Sequence, residues 1–207
     1  MSDIPVIYDD KWLLVADKPA GILTVPAPGK GRRTLTRVIN EQARPAGGPE
    51  LFPCHRLDRE TSGVIVFAKG AEARDQMMNL FRSRRVKKTY IAFVHGRISG
   101  HGRITIPIEG DEAFTRFHVV RTCGEFSVVK AFPETGRTNQ IRIHFKAIGY
   151  PIVGETKYSF RRDFPLKAKR AMLHAESLEF DHFAIQRHVR LTAELPEDMR
   201  RFLENHG

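Results

Sequence analysis

Two short apolar segments, residues 4–8 and 12–15, open the chain on either side of the polar turn Asp9-Asp10-Lys11, a pattern that reads as a hairpin or as a strand followed by a second short strand. Asp17-Lys18-Pro19-Ala20-Gly21 forces a further turn, and residues 29–33 read as a flexible basic loop. Thr34 is placed to cap a helix on which Leu35, Val38, Ile39 and Gln42 share one face, with Pro45 and Gly47-Gly48 ending it. Residues 63–68 are apolar throughout and predict a strand buried on both faces. A helix over 71–84 follows. Ala73, Met77, Leu80 and Phe81 fall at i, i+4, i+7 and i+8 and form its core stripe, while Arg74, Arg82, Arg84 and Arg85 occupy the other side.

Beyond residue 88 the period changes to two. Strands are expected at 89–94, 104–108, 117–121 and 126–131, joined by turns such as Gly100-His101-Gly102 and Cys123-Gly124-Glu125. Short connections between consecutive strands favour antiparallel pairing. Residues 141–148 fit either period, but Gly149 and Pro151 stand where a helix C-terminus wants them, so a helix is expected. A strand near 188–193 and a helix from Pro196 to about Glu204 complete the chain. The expected fold class is α+β, a mixed and largely antiparallel sheet with helices packed on it.

Composition narrows the function. The chain has 207 residues, 41% hydrophobic and 28% charged, which excludes disordered, collagen-like and disulfide-scaffold classes and is enough for one large domain or two small ones; a single domain over 1–207 is expected. The net charge is +10, and residues 51–100 alone contribute +6 of it. A localised surplus of that size points to a polyanionic partner, most often nucleic acid. Cys54 and Cys123 lack CxxC spacing and read as reduced structural thiols. The acidic amino terminus has no signal-peptide pattern, and no apolar run approaches the roughly 20 residues that span a bilayer. A soluble cytoplasmic chain without membrane association, acting as a monomer, is expected.

Two segments carry candidate chemistry. In His55-Arg56-Leu57-Asp58-Arg59-Glu60-Thr61-Ser62-Gly63 an acid lies between two arginines on a loop entering the apolar strand. Nearby positive charge keeps such a carboxylate ionised and available as nucleophile or base. In Thr135-Gly136-Arg137-Thr138-Asn139-Gln140-Ile141-Arg142-Ile143-His144, a helix starting near Thr138 would place Gln140 and Arg142 in its first turns, where polar side chains can face a ligand. A helix start beside Arg137 would also suit a phosphate.

Together these segments resemble the RluA-like family of pseudouridine synthases. The match extends to KKTYIAFVHG at residues 87–96, to TGRTNQIRIHFKAIGYPIVGETKY at 135–158, to VIYDDKWLLVADKPAGILTVP near the amino terminus and to AMLHAESLEF at 171–180. Motif order and spacing agree over residues 6–195. The family's frequent amino-terminal S4 domain is expected to be absent, because the first core strand begins within ten residues of Met1. The resemblance implies that Asp58 initiates cleavage of the glycosidic bond and that Arg56 enters the space vacated by a flipped uridine. It further implies that Tyr90 lies against the uracil, that Arg142 pairs with and orients Asp58, and that Leu173 lines the uracil pocket. Asn139 stands where the family more often has His, beside the motif and not at a catalytic position. The stretch from Glu109 to Phe117 is shorter than usual for the family.

The implied reaction breaks the N1–C1′ bond of uridine, rotates the base and joins C5 to C1′. It is redox-neutral and requires neither metal nor cofactor, which suits a sequence with no HExxH and no convincing metal triad. Chemistry on a base requires that base to leave its stack, and a basic surface recovers the cost by binding phosphates. The implied partner is RNA, ribosomal or transfer. Two rival readings fit less well. An RNA-binding assembly factor that had lost catalysis would have little reason to keep Asp58, Tyr90 and Arg142 together. A hydrolase would need two carboxylates flanking the bond, and Glu60 is the only nearby acid in sequence.

Overall fold

A computed structural model describes residues 3–27, 33–43, 47–158 and 164–207. The expected basic loop at 29–33 and the helix stop at Pro45 lie largely outside the described residues. The chain divides into two units, one formed by Met1–Lys87 with Ser177–Glu194 and the other by Lys88–Glu176 with Leu195–Gly207.

In the first unit, β1 (Val6–Asp9) and β2 (Leu13–Lys18) form the expected hairpin. Its turn is set by Asp10, whose Oδ1 accepts the N–H groups of Trp12 and Leu13 at 2.8 and 2.7 Å. α1 (Leu35–Ala43) buries Leu35, Val38 and Ile39. Ahead of it, Thr34 accepts the Arg37 N–H on Oγ1 at 3.4 Å. β3 (Leu51–Pro53) and β4 (Ser62–Lys69) follow, and β4 is buried from Ser62 to Ala68, as its apolar run requires. β2 and β3 both lie antiparallel to β4. The three-residue β3 was not expected; a strand so short leaves no period to read.

α2 (Ala71–Arg82) buries Ala73, Met77 and Leu80. It stops two residues before the pattern does, because Arg84 turns left-handed at φ 57° and the Arg85 N–H returns to the Leu80 carbonyl at 2.9 Å. The later residues of β9 (Leu173–His182) and β10 (Arg187–Thr192) close this unit as an antiparallel hairpin. Its core gathers Leu13, Val15, Val64, Val66, Met77, Leu178 and Phe180.

In the second unit β5 (Lys87–His95), β6 (His101–Ile104), β7 (Thr115–Cys123) and β8 (Phe126–Pro133) run in the spatial order β5-β8-β7-β6, each pair antiparallel. One expected strand is displaced. The sequence pattern favoured 104–108, but the ladder occupies His101–Ile104, and Pro107, which has no N–H to donate, lies beyond it. α3 (Gln140–Ala147) resolves the ambiguous segment as a helix, closed by Gly149 at φ 85°. α4 (Glu197–His206) buries Met199 and Phe202 against Phe93 and Phe126. Mixed α+β structure with a mostly antiparallel sheet agrees with the expected class. No helix among the described residues is long and apolar enough to cross a membrane.

Candidate active site

Asp58 lies on the loop between β3 and β4, half-buried, with Arg56 and Arg59 exposed on either side. The loop is pinned by residues distant in sequence. Thr24 grips Leu57 from both sides: its Oγ1 donates to the Leu57 carbonyl at 2.9 Å and accepts the Leu57 N–H at 3.1 Å. The ammonium of Lys18, completely buried, donates to the carbonyls of Pro19, Arg59 and Thr61 at 3.1, 3.3 and 2.7 Å. The Gly21 N–H reaches the Arg59 carbonyl at 2.7 Å, and Arg59 Nε returns to the Gly21 carbonyl at 3.0 Å. Within the loop, the Thr61 N–H closes a turn onto the carbonyl of Asp58 itself at 3.1 Å.

His55 takes no part as a cation here. Its Nε2 accepts the Val66 N–H at 3.1 Å, which requires that nitrogen to be unprotonated, and its ring packs on Phe81. Burial pushes the neighbouring Cys54 thiol up to about 12. Cys54 is therefore an inert packing residue and not a nucleophile.

The second unit holds Tyr90, Arg142 and Leu173. Tyr90 stands on β5 opposite Ala131, and its half-buried ring packs against the core cluster that contains Ile141 and Leu173. Leu173 begins β9 and is 3% exposed. Its carbonyl accepts from Arg170 Nη1 at 3.2 Å, and Arg170 in turn holds Asp198 of α4 through Nε and Nη2 at 2.6 and 2.9 Å. The C-terminal helix is thus tied to the start of the strand that carries Leu173.

Arg142 sits in the first turn of α3 and is 7% exposed. Glu155 meets it with a parallel pair of bonds, Nε to Oε2 at 2.6 Å and Nη2 to Oε1 at 2.8 Å. The same Oε1 accepts the backbone N–H groups of Thr156, Lys157 and Tyr158 at 2.9, 2.7 and 3.3 Å. Burial pushes the Glu155 carboxyl up, but Arg142 and the backbone donors outweigh it and hold it below the usual carboxylate range. On the other side, Arg142 Nη1 donates to Asn139 Oδ1 at 2.7 Å, and Asn139 Nδ2 donates to the Tyr158 hydroxyl at 2.9 Å. The Tyr158 ring lies 5.4 Å from the guanidinium carbon. Asn139 can serve both partners because it adopts the left-handed conformation, φ 55°, immediately before α3.

Gln140 corrects an expectation. It faces inward and is 4% exposed. Its Oε1 accepts from Thr135 Oγ1 and the Arg137 N–H at 2.7 and 3.0 Å, and its Nε2 donates to the Phe114 carbonyl and Thr115 Oγ1, each at 2.9 Å. Those four bonds exhaust its amide, so it braces α3 and has nothing left to offer a ligand. Arg137 is likewise engaged, with the Glu112 carbonyl at 3.1 Å and Asp111 at 3.0 Å.

Lys18, Thr24, Glu155 and Tyr158 were not singled out from the sequence. Each works through contacts 13 or more residues away, or through backbone geometry, and neither leaves a periodic trace. Among the described residues no group of His, Cys, Asp or Glu is arranged to hold a metal ion.

Comparison with known proteins places this geometry in context. The profile described as RNA pseudouridylate synthase matches residues 12–147. The "Uncharacterized RNA pseudouridine synthase YlyB" of Bacillus subtilis (strain 168) is 35% identical over 98% of this chain and 73% of its own length. The "Dual-specificity RNA pseudouridine synthase RluA" of Yersinia pestis is 36% identical over 91% of this chain and 98% of its own. Among solved structures, Human RNA Pseudouridylate Synthase Domain Containing 4 aligns with a TM-score of 0.80 at 26% identity, covering 97% of this chain and 92% of that one.

Proposed function

The chain belongs to the RluA-like family of RNA pseudouridine synthases, enzymes that isomerise uridine in RNA to pseudouridine, and from that premise we propose that Asp58 is its catalytic carboxylate, acting on a flipped-out uridine of ribosomal or transfer RNA. The observation that carries the reading is the immobilisation of the Asp58 loop. Leu57 is held on both backbone atoms, and a buried ammonium gathers the carbonyls of Arg59 and Thr61. A loop secured at the residues on either side of one half-buried carboxylate supports a role in which that carboxylate is aimed before substrate arrives.

In the proposed mechanism the ionised Asp58 either attacks C1′ or removes the 2′ proton to give a glycal. Both routes break the N1–C1′ bond and end with the base rotated and C5 joined to C1′; the proton displaced from C5 passes to solvent and N1 takes one up, so the reaction is balanced. Arg142 is the proposed ionic partner that orients Asp58. Glu155 and Asn139 already fix its guanidinium plane, so little ordering remains to be done at the moment of reaction. Tyr90 is assigned to the face of the uracil and Leu173 to the apolar wall of its pocket. Arg56 is assigned to the gap left in the RNA, where it offsets part of the few kcal/mol of unstacking.

The test is tritium release from RNA labelled at C5 of uridine. Asp58→Asn should release none while binding RNA with nearly unchanged affinity. Release at the parental rate by that variant would overturn the assignment.

A further inference from the structure

α2 ends at Arg82, and the chain then turns back beside the tip of the β9–β10 hairpin, leaving an open cleft of about 770 Å³ within the first unit. That volume falls in the roughly 300–1,000 Å³ range of small-ligand sites, enough for a nucleotide. Gln76, Asn79 and Ser83 recur at helical spacing, so they line one wall beside the buried Met77–Leu80 stripe. Phe183 and Gln186 come from the hairpin side. The half-buried Phe183 ring is fixed by stacking on His182 at 4.9 Å and by an edge contact with Trp12 at 6.1 Å.

The charge of the cleft is cationic. Arg82 and Arg85 both line it and are exposed. Asp181 is the one acid in the lining, and it is shared between His188 at 3.0 Å and Arg85 at 3.9 Å. Among the described residues no carboxylate lies within 4 Å of Arg82. Two guanidinium groups at one end, side-chain amides along a wall and an aromatic surface are together the features that hold a phosphate, read the edge of an unpaired base and support its face.

We propose that this cleft binds a second, unpaired nucleotide of the substrate RNA, separate from the uridine that is converted. The proposal rests on RNA being the substrate, but not on the role given to Asp58. The competing explanation is that Arg82 and Arg85 only offset the negative end of the α2 dipole.

The experiment measures anisotropy of a fluorescein-labelled, mixed-sequence, single-stranded RNA of 20 nucleotides across a salt series. The wild-type chain is compared with the double variant Arg82→Gln/Arg85→Gln, and the melting temperature of both is recorded. Loss of two phosphate contacts should weaken binding about tenfold and reduce the slope of log affinity against log salt by about 1.4, taking roughly 0.7 per contact on a single strand. Gln186→Ala should weaken binding without changing that slope. An unchanged slope with a lowered melting temperature would overturn the proposal in favour of the dipole role. Saturable binding of free UMP that the double variant loses, with RNA affinity intact, would overturn it in favour of a free nucleotide. Because the readout is binding, it stands whatever the Asp58 variant does in the tritium assay.

Discussion

Glu155 holds Arg142 edge to edge, with two contacts of 2.6 and 2.8 Å between planar groups, and both side chains are withdrawn from water. A lysine at position 142 keeps the charge but can neither make two parallel bonds to Glu155 nor reach Asn139 at the same time. Arg142→Lys should therefore lower kcat by at least tenfold, with a smaller change in KM, in steady-state tritium release. Full activity would show that charge alone suffices. Glu155→Ala leaves a buried guanidinium without its carboxylate and should cost roughly 3–5 kcal/mol of stability, read by denaturant unfolding.

The same pair sets an acid limit. The folded Glu155 carboxyl lies below its ordinary value, so its stabilising contribution is present in full above the unfolded pKa of about 4.3. That contribution is lost as pH falls through the lower folded value. Asp198 behaves alike, since burial raises its carboxyl and the Arg170 bonds outweigh that effect. Unfolding free energy should fall between about pH 4.5 and lower pH, and Glu155→Gln should flatten part of that slope while lowering stability at neutral pH. A slope unaltered by the substitution would contradict this assignment.

Asn139 connects Arg142 to Tyr158 through its two amide atoms. If it acts by fixing the guanidinium, Asn139→Ala and Tyr158→Phe should fall short of additivity in kcat, with a coupling energy of about 0.5–3 kcal/mol in a double-mutant cycle. Strict additivity would separate the two residues.

Lys18→Met removes the donor shared by three carbonyls and leaves the buried Thr61 carbonyl without it, while the Arg59 carbonyl keeps the Gly21 N–H. Stability should drop by about 2–3 kcal/mol, or roughly 4–12 °C in melting temperature for a chain of this size. Because two of the three carbonyls lie one and three residues after Asp58, kcat should fall further in the folded fraction while RNA affinity changes little. An equal loss of affinity and rate would place Lys18 in the RNA contact instead.

The elements read most directly from sequence were those with a clean period. The unbroken apolar run became β4, the i, i+4, i+7 stripe became the buried face of α2, and the turn at Asp10 became the first hairpin. β9 was quoted as a motif but not expected as a strand. His174 and Ser177 are buried at 0% and 1% exposure alongside its apolar residues, so no alternation survives to be seen. For the proposed site, short contiguous motifs were the source of Asp58, Arg56, Tyr90, Arg142 and Leu173. The side chains that fix them were hidden for a physical reason: Lys18 acts across 43 residues and Glu155 across 13, and a lone Lys or Glu at such distances looks like any solvated charge.

Gly154 has a consequence for how this chain can vary. Its φ is 80°, and a methyl group placed there would lie 1.9 Å from the Arg170 carbonyl oxygen. The bare backbone is what lets residue 153 accept the Met172 N–H at 2.9 Å. Glu155 follows directly on one side of that seam and Leu173 on the other. Any side chain at 154 would wedge the seam open and shift Glu155, which holds Arg142, together with Leu173 in a single step, so drift at this position is barred even though Gly154 itself carries no functional group.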